Sequence, residues 1–261
     1  MNNKKKIILT TILILVSLIF VSLYIGTNFS TKLIAHRGGN IRGVENTEEA
    51  YLSAISYGAR YLECDVQVTK DKELIIFHDD SLDDFVDKNH PLVGCEIEEL
   101  TYAELKDVII SQNGYNSYIL TFSRYLELCK ENNAIPVIEL KGDFEDDDIL
   151  KVYNLIKEYK FLKTAIIISF DLDYLITLRK MDSTLRLQDV GKKGVLDELD
   201  KCIEYKIDID IHWFYCNKKL VEYCHANGLK VNIWTVNDEA LIYHFMRMGV
   251  DYITTDVKMS W

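Results

Sequence analysis

Between Leu33 and Asp79 the chain places two histidines, His36 and His78, around Arg37, the pair Glu45 and Asn46, and the acidic pair Glu63 and Asp65. Near neutral pH two imidazoles can work as an acid/base couple. Carboxylates two apart on a strand point to one face and can share a divalent cation, whereas without one they repel. Further along, Glu139 and Lys141 stand two apart in the apolar run IPVIELKG. A carboxylate and an ammonium in such a run are costly unless they bind something charged or pair with each other. Together these groups suit phosphoryl transfer.

The elements that must position them follow from the apolar patterning. His36 ends a short apolar run, 33–35, that reads as a buried strand. Thr47 before Glu48 and Glu49 suits a helix N-cap, with the helix ending near Gly58. Strands are expected at 61–68 and 73–78 around the turn 69–72. That gap is too short for a crossover helix, so the two form an antiparallel hairpin that carries His78 back towards Glu63 and Asp65. Residues 81–101 read as irregular, and helical periodicity resumes at 102–110 and 122–132.

From there strands at 135–141, 164–170, 184–190, 207–213, 229–236 and 250–255 alternate with helices at 148–159, 174–180, 196–205, 218–226 and 239–248. Of nine strand runs, one belongs to the hairpin, which leaves eight joined by helical crossovers. The expected fold is a TIM (β/α)₈ barrel, and the 261 residues suit one such domain. A doubly wound open sheet is the alternative, because strand order is not visible in sequence. Soon after the last strand the chain reaches Trp261, so the usual closing helix is expected to be missing or replaced.

The first residues stand apart. Residues 1–6 carry Lys4, Lys5 and Lys6, and 7–25 follow with no charge and no proline. These nineteen residues span ~28 Å as a helix, about the thickness of a hydrocarbon core. The exit Val21-Ser22-Leu23-Tyr24-Ile25-Gly26-Thr27 lacks an A-x-A-like cleavage pattern, which favours a signal anchor over a cleaved signal peptide. The expected organisation is a basic cytoplasmic tail (1–6), a transmembrane helix (7–26), a linker (27–32) and a barrel domain (33–261). With the lysines inside, that domain faces outward from the cell membrane, or is secreted if the segment is cleaved. Thirty basic against 41 acidic side chains, a formal −11, argue against a nucleic-acid partner. The six cysteines include no C-x-x-C pair and read mostly as buried apolar residues, with no specific disulfide expected.

In a barrel the chemistry gathers at the C-terminal ends of the strands. Those ends carry His36 and Arg37, Glu63 and Asp65, Glu139 and Lys141, Ser169, Gln188, His212 and Trp213, Trp234, and Thr255 and Asp256. The charged groups crowd into the first three, an asymmetric site. His90, His225 and His244 read as surface residues, and His212 as a hydrogen-bonded strand end. Trp234 is either barrel core or an aromatic wall for substrate. Gly38 and Gly39 serve close approach to a ligand or a tight turn.

The motifs HRGG, ENT, ECD, VTKDKEL, HD, ELK, WTVN and GVDYITTD, in that order over 33–256, resemble the glycerophosphodiester phosphodiesterase family. The resemblance implies a TIM barrel that hydrolyses glycerophosphodiesters to glycerol 3-phosphate and an alcohol, using one divalent cation, Mg²⁺ or Ca²⁺. By matched position it implies that Glu63, Asp65 and Glu139 hold the metal and that His36 and His78 are the acid/base pair. Arg37 and Lys141 would contact the phosphate, Trp234 would line the substrate pocket, and Glu45 and Asn46 would support the site. One departure is that an acidic segment, Ser81 to Asp87, follows HD where the family has a basic, threonine-rich one. The leaving alcohol is therefore open, and any cap over the mouth should be small. Competing readings are the same barrel acting on a lysophospholipid or an envelope glycerophosphate polymer, and a non-catalytic barrel that binds a phosphorylated ligand.

Overall fold

The computed structural model describes residues 29–39 and 42–258. Its strands are β1 (Lys32–Ala35), β2 (Tyr61–Val68), β3 (Leu74–Ile76), β4 (Ile110–Gln112), β5 (Tyr115–Ser117) and β6 (Leu120–Thr121), followed by β7 (Ile135–Leu140), β8 (Ile166–Ser169), β9 (Arg186–Gly191), β10 (Asp208–His212), β11 (Val231–Trp234) and β12 (Tyr252–Thr255). The helices are α1 (Glu48–Ser56), α2 (Tyr102–Leu105), α3 (Phe122–Glu131), α4 (Asp146–Glu158), α5 (Leu172–Met181), α6 (Leu199–Tyr205), α7 (Lys218–Ala226) and α8 (Glu239–Met248).

Parallel pairing runs β1-β12-β11-β10-β9-β8-β7-β2, and β1 also pairs with β2. Eight parallel strands thus close into a barrel, which rules out the open sheet. Period-two alternation decides what lies inside it. Ile34, Val137, Ile166, Ile168, Val190 and Tyr252 form the interior cluster, while Leu62, Cys64, Ile138, Ile167, Ile209 and Ile211 pack outward against the helices. Residues two apart share a face, so Glu63, Asp65 and Glu139 belong to the interior set. Asp65 and Glu139 are register partners on β2 and β7.

The expected hairpin is present: β3 runs antiparallel on β2 with Ile76 opposite Val66, and Phe77 N donates to Asp65 O at 2.9 Å. Thr47 caps α1, its hydroxyl accepting from Ala50 N at 3.5 Å. Two helices are shorter than their periodicity predicts. The expected helix over 102–110 stops at Leu105, and Ile110 begins β4. The reason is tertiary: Val108 and Ile110 bury in a second apolar cluster with Val44, Phe77, Leu82, Phe85, Ile97 and Leu105. That cluster and the β4–β5 hairpin make a small lobe beside the barrel, built from the stretch after the HD pair. The expected helix over 196–205 begins at Leu199, after a 3₁₀ turn at Lys193–Leu196. All six cysteines are free and five are buried. The expected tail at 1–6 and transmembrane helix at 7–26 lie outside the described residues. Among the described residues no helix is long and apolar enough to cross a membrane.

Candidate active site

His36, Arg37 and Gly38 form a 3₁₀ turn directly after β1. Arg37 adopts a left-handed backbone (φ 51°), as does Gly38 (φ 85°). A Cβ on Gly38 would meet Ala50 Cβ at 2.8 Å, so this glycine serves close packing of the turn onto α1. The tight turn points the Arg37 amide at Glu63, donating to Oε2 at 2.8 Å. The Arg37 side chain turns to Glu45 (Nη1 to Oε1, 2.7 Å) and lies near Asp65 (Nε to Oδ2, 3.3 Å). Burial opposes its charge, but Asp65, Glu45 and Glu63 outweigh that and raise its pKa above the ordinary value. Backbone strain at Arg37 is thus held by the contacts that organise the carboxylates.

Glu63, Asp65 and Glu139 each offer a carboxylate oxygen within 4.8 Å of the others. Glu63 and Asp65 are almost wholly buried, at 2% and 1% exposure. Asn46, itself buried with a left-handed backbone (φ 59°), donates to Asp65 Oδ2 at 2.7 Å and accepts from the Tyr51 hydroxyl at 2.8 Å. Burial and the neighbouring carboxylates Asp65 and Glu139 push Glu63 well above the ordinary range, with Arg37 partly offsetting. Glu139 is pushed up to about 8 by burial and Asp65, against Lys141 and Arg37. Glu63 Oε1 is buried with no hydrogen-bond partner. A divalent cation relieves both features, supplying a ligand for the orphaned oxygen and charge for the crowded carboxylates, so the residues fit one. Lys141 Nζ lies 4.0 Å from Glu139 Oε1, an ion pair at the outer limit of contact and too long for a hydrogen bond.

Each histidine is gripped on one nitrogen. His36 Nδ1 lies 2.7 Å from Asp256 Oδ1, and His78 Nδ1 lies 2.5 Å from Asp79 Oδ1. An ionised carboxylate only accepts, so Nδ1 carries the proton in both rings and the Nε2 lone pair is left for chemistry. Asp256 is fixed in turn by Asn237 (Nδ2 to Oδ2, 2.6 Å), and Asn237 Oδ1 accepts from Asp256 N at 2.9 Å. Burial lowers the His78 pKa, aided by Arg37 and Lys141 and opposed by Asp65 and Asp79, so the neutral ring dominates near neutral pH.

His36, Arg37, Glu63, His78, Glu139, Lys141 and Trp234 all line one cavity of about 210 Å³. Trp234 is at once wall and structure. Its indole N–H donates to Asp210 O at 3.1 Å, and its ring meets Phe170 and His212 edge to face at 5.6 and 5.3 Å. Asp65 and Asn46 lie behind this lining, and Glu45 opens onto a neighbouring hollow with His36, Arg37 and Asp256. A larger groove of about 500 Å³ shares Glu139, Lys141 and Phe170 with the cavity and extends it outward. Asp256, legible only as a strand end, is the orienting partner of His36, and nothing in its spacing signals that. Asp210 and Lys192 also line the cavity and were not picked out from the sequence.

The sequence profile of the Glycerophosphoryl diester phosphodiesterase family matches residues 36–258. A glycerophosphodiester phosphodiesterase of Caldanaerobacter subterraneus subsp. tengcongensis is 29% identical over 233 residues, 87% of this chain and 94% of that protein. Among solved structures, a glycerophosphodiester phosphodiesterase from Parabacteroides distasonis superposes with TM-score 0.75 at 28% identity, over 88% of this chain and 94% of that one. An Oleispira antarctica phosphodiesterase, solved with its product sn-glycerol-3-phosphate, shares the fold with TM-score 0.76 at 22% identity, over 87% and 93%. With the family profile spanning the barrel from His36 to its end, the chain belongs to the glycerophosphoryl diester phosphodiesterase family and is a phosphoric diester hydrolase of that family.

Proposed function

We propose that the protein is a membrane-anchored, divalent-cation-dependent phosphodiesterase that cleaves glycerophosphodiesters to glycerol 3-phosphate and an alcohol, with His36 and His78 as acid and base. One observation carries this reading. Two imidazoles, each held by a carboxylate at Nδ1, share a cavity of about 210 Å³ with two of the three clustered carboxylates and two cations, Arg37 and Lys141. Glu63, Asp65 and Glu139 would hold one Mg²⁺ or Ca²⁺, which supplies positive charge beside the non-bridging phosphate oxygens. Arg37 and Lys141 add charge as the transition state develops, Arg37 from a guanidinium already fixed by Glu45.

One histidine takes the proton of the attacking hydroxyl at Nε2, and the other, entering the step as the imidazolium with a proton on each nitrogen, gives its Nε2 proton to the departing alkoxide as the phosphorus–oxygen bond breaks. The attacker is water or the substrate's own glycerol hydroxyl, the latter giving a cyclic phosphate that water then opens. Asp79 and Asp256 stabilise whichever ring is transiently protonated. The anchor is supported by the apolar run 7–25 behind three lysines, an arrangement that favours a barrel outside the membrane. His36→Ala and His78→Ala should each keep the fold, by circular dichroism, and lower kcat at least about 100-fold. Wild-type turnover in either variant would remove that histidine from the chemistry.

A second reading, a lysophospholipid or glycerophosphate-polymer substrate, is favoured by the wider groove continuing past Phe170. Mouse lysophospholipase D is 29% identical over 147 residues, 51% of this chain and 43% of that protein. Turnover of micellar lysophosphatidylcholine against soluble glycerophosphocholine separates the two substrates.

A further inference from the structure

The cavity wall opposite the carboxylates is built by β8 to β12 and carries Ile168, Phe170, Val190 and Trp234 together with Thr254 and the cation Lys192. Asp210 is the carboxylate of that wall. This residue sits inward on β10 between Val190 on β9 and Asn232 on β11, lines the cavity and is 2% exposed. Its Oδ1 is buried without a hydrogen-bond partner. The Trp234 indole donates to the Asp210 backbone carbonyl, and the Asn232 amide, whose Nδ2 donates to Gln188 Oε1 at 3.1 Å, is a neighbouring side-chain donor that also bears on the Asp210 carboxyl, leaving Oδ1 without a partner. The acidic groups that bear on it are Glu139 and Asp189, and among the described residues it forms no ion pair.

A buried carboxyl with an unsatisfied oxygen is destabilising, and a ligand group that completes it recovers that cost. We propose that Asp210 is a specificity-determining residue that hydrogen-bonds a hydroxyl of the substrate's glycerol moiety. This rests on the phosphodiesterase reading, which puts the phosphate at the Arg37 and Lys141 side and leaves the esterified glycerol to face the opposite wall. Burial, and secondarily Glu139, push the Asp210 carboxyl well above the ordinary range, while the Asn232 amide offsets part of this. A carboxyl accepts from an alcohol hydroxyl in either protonation state, and in neither form does it favour a second anion over an alcohol. Ile168, Val190 and Trp234 around it provide the dry surround in which such a bond discriminates.

The test is binding of two phosphate monoesters to the full-length protein by calorimetry. Sn-glycerol 3-phosphate carries two hydroxyls, and n-propyl phosphate carries none. Wild type should bind the glycerol ester about 10- to 100-fold more tightly. Asp210→Val should bind both within about twofold of each other, with n-propyl phosphate affinity unchanged. Asp210→Asn, which keeps polarity and guards against a folding defect in the valine variant, should retain part of the preference. Retention of the full wild-type ratio in Asp210→Val, or no preference in wild type, overturns the assignment. If wild type binds neither ester, the phosphodiesterase reading itself falls, and the role of Asp210 with it.

Discussion

Asp256, just past the last barrel strand, holds the ring of His36, just past the first, at 2.7 Å across the seam where the barrel closes. The ring's orientation therefore depends on closure of the fold, and Asn237 locks the carboxylate from behind. Asp256→Asn keeps the volume but lets the amide offer a donor to Nδ1, which favours the wrong tautomer. The expected result is a kcat lowered by about 10²–10⁴ with KM little changed, and an altered acid limb of the pH–rate profile. A purely structural role would lower the melting temperature and leave that profile in place.

Gly38 holds the catalytic turn against α1. Gly38→Ala places a methyl 2.8 Å from Ala50 Cβ at a φ of 85°, so both contact and backbone oppose it. We expect a loss of about 1–3 kcal/mol in urea unfolding, with activity falling as His36 and Arg37 shift.

Asn46 should tune the cation site from behind. Its side chain bridges Asp65 and Tyr51. Asn46→Ala removes that bridge at a left-handed position, and cation affinity, by calorimetry, should fall about 10- to 100-fold.

The crowded carboxylates give the cation-free protein a pH dependence of known sign. Glu139 has its folded pKa raised from 4.5 to about 8. Below 4.5 both states are protonated; between 4.5 and 8 the unfolded chain releases a proton that the folded chain keeps. Folding stability therefore falls as pH rises through that window and is flat above it. In EDTA the melting temperature should be lower at about pH 8 than at about pH 5, with a smaller drop in Glu139→Gln. Added cation, which selects the ionised form, should raise stability most at the alkaline end. An equal drop in wild type and variant would remove Glu139 as its source.

The barrel was legible because its signal is periodic. β2 at 61–68, α7 at 218–226 and α8 at 239–248 coincide with the apolar patterning to the residue. The lobe was not, since Val108 and Ile110 read as helix until a non-local apolar cluster claims them. Within the site, residues that announce themselves by type in an apolar strand, such as Glu63, Asp65 and Glu139, were found. Asp256 was not given its part, because its meaning lies in a contact with His36 at a separation of 220 positions, and Asn237 was not because it acts through Asp256. Asp210 was hidden by one acidic neighbour, Asp208, in the segment DID; the two share a strand face, and only strand register and closure tell which reaches the cavity.

The central claim is tested most directly by release of glycerol 3-phosphate from glycerophosphocholine, glycerophosphoethanolamine and glycerophosphoglycerol, with Mg²⁺, Ca²⁺ or EDTA. The account predicts turnover with at least one cation, its abolition by EDTA, and its loss in Glu63→Gln with the fold retained. Undiminished release in EDTA, or an active Glu63→Gln variant, would contradict it.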